Sequence, residues 1–538
     1  LSNHNGEVFI CRNCLSYSTQ SKTLMERHKE RCNNNKSSII NFPNEKTLYF
    51  KNHIRKLKMP YVIYADFESF LMQLDSCSPS NEKSFTQKYQ LHKASSYCVF
   101  IKSLYDNIKN PLRIFRRQEI EKHFCEYLTE ISKEIYMQMK IEKKIIITEE
   151  QEKQFKKSKF CWMCDQKFEF DYGHKQDDRV RDHDHYTGLY RGPAHRKCNV
   201  NFHEKKVIPI FFHNLSGYDS HLFIKNLGFD VKELKLIAQN EEKYISFSKN
   251  ILVEKYEYKD KKGELKEVKK YIELRFLDSL RFMPESINSL SNYLKPDQFH
   301  ETINYLKKLN LETKIEYLRK GVFPYKYIDS MEKYNETKLP SQESFYNDLS
   351  KTHITDEEYN YAQKVWNEFE CKTIDIFENF RNVCMKTYDF DPCWYYTTAG
   401  LSWDAMLKIT KIKLEYINNV EMLLFFESGI RGGISQVSHS YAKANNKYYE
   451  KDIKEEKKAK GTKTYVVKKE LKFQNYYDIL MKKSTVNNKP NVLYKNQNVI
   501  RSKKHEIYSQ TINKIALSYN DDKRFKLDNG ISSLPYGH

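Results

Sequence analysis

The sequence predicts an α+β fold with two small zinc modules attached. Three strand-like apolar stretches support the β part, namely YVIYADF from Tyr61, VIPIFFHNL from Val207 and ELRFLDSLRF from Glu273. Helical periodicity dominates residues 116–160 and 300–425, and Cys and His residues concentrate in two short clusters. We therefore expect a sheet flanked by helices, with metal-stabilised units joined to it.

The composition predicts a polyanionic partner, with DNA as the first expectation. Lys and Arg total 91 against 71 Asp and Glu, and the net charge of +20 is spread along the chain. A basic protein of this kind suits nucleic acid first and an anionic membrane surface second. The 40 tyrosines and 32 phenylalanines offer rings for base stacking, although most such rings form core.

The apolar runs and the cysteines indicate the compartment. The longest apolar runs, such as MLLFF at Met422 to Phe426, are too short to cross a bilayer, and no secretory leader opens the sequence. Six of the twelve cysteines fall in the two Cys/His clusters, and the others show no pairing rhythm. We therefore expect an intracellular protein in a reducing compartment that binds zinc and no membrane.

Residues 1–40 contain the first predicted zinc site. Its ligands follow the spacing C-x2-C-x13-H-x3-C and are Cys11, Cys14, His28 and Cys32. Two thiolates on a knuckle and a His/Cys pair one helical turn apart close a tetrahedral structural site. Nearby basic residues leave open whether this finger contacts DNA or only folds the terminus.

The second cluster combines a zinc site with additional acidic and histidine residues. The spacings C-x2-C and H-x2-C supply a second closed set of zinc ligands, Cys161, Cys164, His195 and Cys198. The run DHDH, from Asp182 to His185, lies between the two halves of this set. Asn199 follows the last ligand directly.

Two interpretations of DHDH remain open on the residues alone. In the first, Asp182 and Asn199 hold Mg²⁺ and His183 deprotonates water for phosphodiester hydrolysis. In the second, the run completes a purely structural metal site or caps a turn. The pattern C-x2-C, DHDH-x-TG-x2-RG and H-x2-CN resembles the phage recombination endonuclease VII group of His-Me finger nucleases over residues 158–204. This resemblance implies the first interpretation, and His195 stands where that family has a cysteine.

A second possible catalytic centre begins in the stretch ADFES. Strand alternation places Asp66 and Glu68 on the same side of a predicted strand end, where they could share Mg²⁺ ions. The pair D-x-E alone also fits ordinary solvated charges. The segment HNLSGYDSHLFI resembles the second exonuclease motif of family B DNA polymerases, with Asn214, Tyr218 and Asp219 at the motif positions.

Two further segments extend this resemblance. FLDSLRFM resembles the Ser-Leu motif with which protein-primed members grip single-stranded DNA, through Ser279 and Leu280. The segments YYTTAGLSWDAMLK and FESGIRGGISQ resemble the region that joins the exonuclease and polymerase modules, with Arg431, Gly432 and Gly433 as candidate DNA-binding residues. Residues 1 to about 445 thus resemble the amino-terminal part of a protein-primed family B DNA polymerase of the Polinton (Maverick) transposon type.

The resemblance implies a fold, cofactors and partners. The fold is an RNase H-like 3′-5′ exonuclease domain, with a mixed sheet flanked by helices, interrupted by a zinc-containing ββα-metal His-Me finger and preceded by a zinc finger. Mg²⁺ or Mn²⁺ would be held by Asp66, Glu68 and Asp219 at one centre and by Asp182 and Asn199 at the other. The implied partners are single-stranded or branched DNA and a terminal protein primer, in the nucleus.

Two expected motifs are missing from the sequence. The spacing Tyr-x3-Asp of the third exonuclease motif occurs at Tyr325–Asp329, Tyr256–Asp260 and Tyr448–Asp452, but in unsuitable contexts, and we interpret these as coincidental. The polymerase motifs D-x2-SLYP and D-T-D are not found, which fits a decayed element or an imperfect gene model. We therefore expect DNA binding and endonuclease cleavage with polymerase activity lost. The alternatives are a non-catalytic, zinc-dependent DNA-binding remnant and an RNA-binding protein.

These features predict eight consecutive segments. They are a zinc finger at 1–40, the first part of the exonuclease-like domain at 55–115, a charged helical connector at 116–157, the endonuclease VII-like insert at 158–204, the rest of the exonuclease-like domain at 205–385, a joining segment at 386–441, a Lys-rich linker at 442–470 and a C-terminal remnant of the polymerase module at 471–538.

Overall fold

The computed structural model describes most of the chain. The described residues are 9–15, 17–37, 41–75, 83–105, 107–141, 143–171, 176–201, 206–228, 234–259, 263–308, 321–365, 372–429, 461–481, 492–518, 524–526 and 533–535. They divide into two compact units, the first formed by Leu1–Lys51 with Trp403–Ser440 and the second by Asn52–Ser402 with Tyr441–His538.

The helices and strands are numbered in chain order. The helices are α1 Lys22–Cys32, α2 Ile120–Met139, α3 Glu149–Lys157, α4 Arg196–Asn201, α5 Asp219–Leu227, α6 Ile287–Ser291, α7 His300–Lys308, α8 Asp356–Val365, α9 Lys372–Tyr388, α10 Thr398–Thr410, α11 Val420–Gly429, α12 Thr464–Glu470 and α13 Phe473–Met481. The strands are β1 Phe9–Ile10, β2 Ser18–Thr19, β3 Thr47–Leu48, β4 Tyr61–Gln73, β5 Phe85–Ser103, β6 Leu112–Arg116, β7 Phe170–Asp171, β8 Gln176–Asp177, β9 Arg179–His183, β10 Tyr190–His195, β11 Val207–Phe212, β12 Leu234–Ala238, β13 Tyr244–Lys259, β14 Leu265–Asp278, β15 Leu414–Glu415, β16 Val492–Lys503, β17 Glu506–Ser518, β18 Arg524–Lys526 and β19 Ser533–Pro535.

The first unit is small and built around helix α1. Strands β1 and β2 pair antiparallel before this helix, and the Ser21 hydroxyl caps it by accepting a hydrogen bond from the Leu24 N–H at 3.3 Å. Strand β3 pairs antiparallel with β15, which joins the two chain segments of the unit. An exposed ion pair between Arg12 and Glu421 adds a second link between those segments.

A nine-stranded mixed sheet forms the centre of the second unit. Its order among the described strands is β12-β13-β14-β11-β4-β5-β17-β16, and β6 pairs with the other part of the long strand β5. Strand β11 runs parallel to both β4 and β14, whereas the other pairs in this sheet are antiparallel. The predicted α+β class with a mixed sheet is therefore confirmed.

The middle of this sheet is apolar on both faces. Strand β11 reads VIPIFF, and each of its residues is buried, as expected for a strand covered on both sides. On one face the rings of Phe67, Phe124 (α2) and Phe223 (α5) pack at centroid distances of 4.9 to 5.6 Å. On the other face Phe211 packs 4.2 Å from Phe377 of α9. Helices therefore cover the sheet from both sides.

Helix α2 belongs to this core and is more than the charged connector predicted for 116–157. Ile120, Phe124, Leu128, Ile131 and Ile135 recur at helical spacing and are all buried. Each such side chain contributes about 1.5–3 kcal/mol on burial, so the helix is a main source of stability for the sheet. Its charged residues occupy the outer face.

The C-terminal segment, predicted as a remnant of the polymerase module, adds two strands to this sheet. Strand β17 pairs antiparallel with β5, from Ile507↔His92 to Asn513↔Phe85, and β16 pairs with β17. These strands extend the same sheet that contains β4 and β11. The eight predicted segments and their boundaries stay predictions.

No helix in the described residues combines the length and the apolar character that crossing a membrane requires.

Candidate functional site

Asp66 and Glu68 lie in the middle of β4, because this strand continues to Gln73. The predicted position at a strand end is therefore wrong, although the predicted shared face follows from the alternation of the strand. Phe67 between them points into the aromatic core and is buried, whereas Asp66 is exposed and Glu68 half-buried. The strand thus presents two carboxylates away from the core at an accessible place.

Asp219 joins these carboxylates from the neighbouring strand connection. Because β11 runs parallel to β4, the loop after its carboxyl end passes beside Asp66 and leads into α5, which begins at Asp219. The buried Asp219 Oδ1 accepts a hydrogen bond from the Phe67 N–H at 3.3 Å. Burial and the negative charge of Asp66 raise the pKa of Asp219 well above its usual range.

Asp278, which the sequence analysis did not single out, shapes the loop that carries the exonuclease-like motif. It ends β14, and its carboxylate accepts the N–H groups of Asn214 at 2.8 Å, Ser216 at 3.1 Å and Leu280 at 3.0 Å. Asn214 has a left-handed backbone with φ of 76°. A Cβ on Gly217 would lie 2.3 Å from the Asn214 Oδ1, so a larger residue there would displace the Asn214 side chain.

Tyr218 is held beside the three carboxylates by a histidine. Its hydroxyl lies 2.8 Å from Nδ1 of His92, and the other ring nitrogen of His92 lies 2.7 Å from the Ser509 hydroxyl. Burial is the largest cause that raises the pKa of Tyr218, followed among the charges by Asp219, Glu68 and Asp66. The phenol therefore remains protonated at neutral pH and can donate a hydrogen bond.

Ser279 and Leu280 lie in the turn after β14, next to the same loop. Ser279 is buried, and its hydroxyl donates to the Phe212 carbonyl at 3.0 Å and lies 3.0 Å from Nδ1 of His213. The Ser279 hydroxyl thus holds the loop after β11, and its predicted contact with single-stranded DNA stays a prediction. Leu280 is half-buried.

The pKa of Tyr325, a residue that is 44% exposed, is raised well above its usual range. Desolvation of the phenol is the largest cause, followed by the charges of Glu68 and Asp66 and by smaller effects of Tyr218 and Asp219. The segment Tyr325–Asp329 forms turns rather than a leucine-rich helix. The interpretation of its spacing as coincidental stays a prediction.

Parts of the other Tyr-x3-Asp spacings and of the segment FESGIRGGISQ fall on residues that the structure does not describe. Asp260, the pair Tyr448–Asp452 and the predicted DNA-binding residues Arg431, Gly432 and Gly433 lie outside the described residues.

The carboxylates of Asp66, Glu68 and Asp219 have the chemistry of a divalent-cation site, but their oxygens are too far apart to hold one ion as they stand. Carboxylate oxygens are the ligands that Mg²⁺ and Mn²⁺ prefer. Among the described residues, however, Asp66, Glu68 and Asp219 do not form a group whose ligand atoms all lie within 4.8 Å of one another. Binding of a shared cation therefore has to draw these side chains together.

The first predicted zinc-ligand set converges in the structure. Ligand atoms of Cys11, Cys14, His28 and Cys32 lie within 4.8 Å of one another. The Cys14 sulfur lies 3.4 Å from Nε2 of His28, and the sulfurs of Cys11 and Cys32 are 3.8 Å apart. Such distances and this donor set fit a closed tetrahedral zinc site. The ring of Tyr17 stacks on His28 at 4.1 Å and orients the imidazole.

The second predicted set, Cys161, Cys164, His195 and Cys198, also converges within 4.8 Å. Nδ1 of His195 lies 3.3 Å from the Cys164 sulfur and 3.7 Å from that of Cys198. Its Nε2 lies 3.1 Å from the Lys167 carbonyl and can donate to it. A metal-binding histidine typically donates its second N–H in this way, which leaves Nδ1 free for the ion. Both sets could therefore hold zinc.

The residues between the ligands form a hairpin followed by a short helix. Strands β9 and β10 pair antiparallel, with Asp182 opposite Gly192, and α4 carries Cys198 and Asn199. Gly192 packs against the Trp162 ring, where an added Cβ would lie 2.8 Å from ring carbons. The zinc knuckle and the hairpin are thus packed as one unit.

The DHDH side chains have specific neighbours in this hairpin. Asp182 is buried, and both of its oxygens accept from Arg191, at 2.8 and 3.1 Å. The rings of His183 and His185 stack at 4.7 Å. Asp184 Oδ1 caps the turn by accepting the N–H groups of Tyr186 and Thr187. Asp184 therefore performs the turn-capping role, while Asp182 is paired with a guanidinium that a bound cation has to displace.

The comparisons with known proteins give a weak structural similarity. No known protein family and no curated protein matches the sequence. The solved structures that match include the orthorhombic crystal form of Phi29 DNA polymerase, at a TM-score of 0.26 and 11% identity over 65% of this chain and 35% of that chain. A complex of Phi29 DNA polymerase with primer-template DNA and incoming nucleotides has the same TM-score and identity, over 66% and 35%. This chain is thus weakly similar in structure to a DNA polymerase, over about a third of that enzyme's length.

Proposed function

We propose that this chain is a DNA-binding nuclease, related to the exonuclease part of protein-primed family B DNA polymerases, with its main catalytic centre at Asp66, Glu68 and Asp219. The observation that carries the proposal is the contact of the Asp219 carboxylate with the Phe67 N–H, between Asp66 and Glu68. Two parallel strands and a helix start thereby bring together acidic residues that are about 150 positions apart in the sequence.

The strand arrangement supports an RNase H-like fold. In the order β6-β5-β4-β11-β14, the last three strands are mutually parallel and β5 is antiparallel to both of its neighbours. Helices α2 and α5 pack on one face of this set and α9 on the other. This is the mixed sheet flanked by helices that the resemblance implies. Function nonetheless depends on the site, because one fold supports many activities.

The residues around the carboxylates suit hydrolysis of a DNA strand. Mg²⁺ or Mn²⁺ held by Asp66, Glu68 and Asp219 would supply activation of water and stabilisation of the leaving oxygen. The phenols of Tyr218 and Tyr325 stay protonated and can orient water or a phosphate oxygen by hydrogen bonds. The net charge of +20 favours binding of the polyanion.

The test is degradation of a 5′-labelled single strand from its 3′ end in the presence of Mg²⁺ or Mn²⁺. We expect Asp66→Asn and Asp219→Asn to lower the rate at least about 100-fold, because each removes a charged oxygen ligand. Asp75→Asn is the matched control, since this exposed carboxylate lies just beyond the end of β4. Loss of activity in Asp75→Asn to the same extent, or full activity in Asp219→Asn, contradicts the proposal.

A second candidate activity is endonuclease cleavage by the insert at residues 158–204. The observation that favours it is the succession of β9, β10 and α4 around a zinc-ligand set, which brings Asp182, His183 and Asn199 into one small unit. Asp182 and Asn199 would hold Mg²⁺, with His183 as the base. The ion pair of Asp182 with Arg191 implies that cleavage requires DNA or metal to displace the guanidinium.

Branched and nicked DNA substrates separate the two activities. Cleavage within these substrates should be lost in His183→Ala and retained in Asp66→Asn, whereas 3′-end degradation should show the opposite pattern. If His183→Ala cleaves these substrates as fast as the wild-type protein, the insert is not the source of the endonuclease activity. Binding without cleavage of either substrate favours the alternative, a non-catalytic zinc-dependent DNA-binding protein.

The other implications of the resemblance remain proposals. DNA synthesis by this chain is not expected, because the metal-binding aspartates of the polymerase module are not found in the sequence. The Polinton type, the terminal protein primer and the nuclear location are consequences of the same resemblance. A primer-extension assay with dNTPs and Mg²⁺ tests the expected absence of DNA synthesis, and extension of the primer would contradict it.

A further inference from the structure

Three metal-binding side chains that are distant in sequence converge in the second compact unit. His221 lies on α5, Glu242 lies between β12 and β13, and His505 lies in the turn between β16 and β17. One ligand atom of each lies within 4.8 Å of the other two. None of these residues belongs to the predicted zinc sets or to the proposed nuclease centres.

The two imidazoles face each other through the same ring nitrogen. Nδ1 of His221 lies 3.0 Å from Nδ1 of His505, and Glu242 Oε2 lies 3.9 Å from the first and 4.0 Å from the second. Ligand atoms around a tetrahedral zinc ion are about 3.3 Å apart, because each lies about 2.0–2.1 Å from the ion. A carboxylate movement of less than about 1 Å therefore completes a three-ligand site.

Hydrogen bonds around the cluster prepare His505 to bind an ion. The Tyr244 hydroxyl donates to the Glu241 carbonyl at 3.2 Å, so its oxygen is available to accept from Nε2 of His505, 3.1 Å away. With its proton on Nε2, His505 directs the Nδ1 lone pair at the cluster. This is the arrangement in which protein histidines bind metals.

The backbone fixes Glu242 against the same turn. Its carboxylate oxygens accept the N–H groups of Lys504 at 2.5 Å and His505 at 3.3 Å. Lys504 and His505 both have left-handed backbones, with φ of 53° and 57°, between the paired residues Lys503 and Glu506. Asn and Gly are the residues that usually occupy such a two-residue turn. The turn therefore presents an imidazole where hairpins ordinarily have a small residue.

We propose that His221, Glu242 and His505 bind one first-row transition metal ion, with Zn²⁺ as the expected occupant, and that the ion fastens the β16–β17 turn to helix α5. Two imidazoles and one carboxylate suit such an ion, whereas Mg²⁺ and Ca²⁺ prefer oxygen ligands throughout. The His505 and Glu242 side chains are partly exposed, which leaves a path for the ion and room for water as a fourth ligand.

The site connects the C-terminal hairpin to the start of α5, where Asp219 lies. The proposal stands on the geometry of these three residues and does not depend on the nuclease assignment. A direct hydrogen bond between the two imidazoles is the competing explanation for their short separation. The experiment must therefore measure metal binding itself.

The full chain, with its cysteine sites filled by Zn²⁺ and with excess Mg²⁺ to occupy the proposed nuclease centres, is titrated with Co²⁺ and followed by visible absorption. We expect d–d bands that saturate at one equivalent, without a thiolate charge-transfer band, because the ligands are nitrogen and oxygen. His505→Asn should weaken Co²⁺ binding at least about tenfold, because it removes one metal ligand. Asparagine tolerates the left-handed backbone, so the turn is preserved.

Two further variants test whether the Co²⁺ binding depends on Glu242 and on this histidine pair. Glu242→Gln retains an oxygen that can accept the backbone N–H groups of the turn but loses the charge, and it should also weaken Co²⁺ binding. His353→Asn is the matched control, since this histidine is exposed and lies next to Tyr346. Absence of one-equivalent binding, or equal Co²⁺ affinity in wild type and His505→Asn, overturns the proposal in favour of the imidazole hydrogen bond.

Discussion

The His92 imidazole bridges Tyr218 and Ser509, with its ring nitrogens 2.8 Å and 2.7 Å from the two hydroxyls. His92 lies on β5, Tyr218 precedes α5 and Ser509 lies on β17. The C-terminal hairpin is thereby connected to the aromatic side chain next to Asp219. Through this contact the last strands of the sheet reach the surroundings of the proposed centre at Asp66, Glu68 and Asp219.

Tyr218→Phe is expected to lower the rate of 3′-end degradation. It removes the hydroxyl beside Asp66, Glu68 and Asp219 while keeping the buried ring. Loss of such a supporting hydrogen bond costs about 10- to 100-fold in comparable sites. Single-turnover degradation of a labelled strand measures the change. The control is Tyr508→Phe on the C-terminal hairpin, which removes a hydroxyl that contacts Glu506 and should leave the rate unchanged. An unaltered rate in Tyr218→Phe would show that the Tyr218 hydroxyl has no part in the reaction.

The stability of the protein is expected to fall between pH 7 and pH 5 partly because of His92. Burial lowers the pKa of His92 from 6.5 to about 4 in the folded protein. The unfolded chain therefore binds the proton first as the pH falls through 6.5, and folding stability is lost progressively down to about pH 4. The expected contribution is on the order of 2 kcal/mol between pH 7 and pH 5.

Urea unfolding of wild type and His92→Gln at both pH values measures this contribution. The difference between the two proteins cancels the acid sensitivity of the zinc thiolates, which both share. We expect His92→Gln to lose less stability than wild type on acidification. Parallel losses in the two proteins would mean that His92 is not the group that titrates.

Arg381 and Asp391 form a buried ion pair that should dominate the stability of the region around α9. The guanidinium bonds both Asp391 oxygens, at 3.0 and 2.6 Å, and both side chains are fully buried. Asp391 also accepts the Met59 N–H at 2.7 Å, just before β4. Asp391→Ala leaves the buried guanidinium with Glu378, 2.7 Å away, as its remaining carboxylate partner and should cost about 3 kcal/mol in the free energy of unfolding.

Denaturant unfolding tests this cost against an exposed ion pair. Arg12 and Glu421 are both largely exposed, and Glu421→Ala should change stability by less than about 1 kcal/mol. The double variant Arg381→Met with Asp391→Leu removes both charges and should recover part of the loss. A double variant as unstable as Asp391→Ala alone would assign the loss to packing instead of the unpaired charge.

The second zinc-ligand set predicts a difference between two substitutions of His195. His195→Cys supplies a thiolate, which zinc accepts equally well, whereas His195→Ala leaves three ligands. We expect the zinc content to fall by one ion per chain in His195→Ala alone, with protease cleavage appearing in residues 158–204 because zinc binding and folding are coupled. Metal analysis and limited proteolysis measure both effects. An unchanged zinc content in His195→Ala would exclude this histidine as a ligand.

The sequence predicted local features better than contacts between distant segments. Strand β11 was predictable because a continuous apolar run is stable mainly as a central strand that is covered on both faces. The cysteine–histidine sets were predictable because ligand spacing within a knuckle or helix is a short-range property. The pairing of β17 with β5 joins segments about 400 residues apart, and no local pattern encodes it.

The same physical limit explains the residues that were missed in the candidate site. Asp278 acts through its oxygens on three backbone N–H groups of two separate segments, which a motif search does not detect. His221 and His505 are 284 positions apart and meet only because the C-terminal hairpin joins the sheet. Tyr325 lies in a turn, and the raised pKa that links it to Glu68 and Asp66 depends on tertiary packing that its local sequence does not encode.

Tyr325 provides the sharpest test of the proposed exonuclease centre. Tyr325→Phe should lower 3′-end degradation about tenfold, since it removes the hydroxyl that we propose orients water or a phosphate oxygen near the carboxylates. Tyr327→Phe is a matched control two residues away, because the Tyr327 hydroxyl contacts Glu336 and its ring lies under Lys333. Single-strand binding, measured by fluorescence anisotropy, should be equal in both variants. Equal loss of 3′-end degradation in both variants would mean that the segment acts through its folding. Unchanged degradation in both variants would mean that the Tyr325–Asp329 spacing is coincidental.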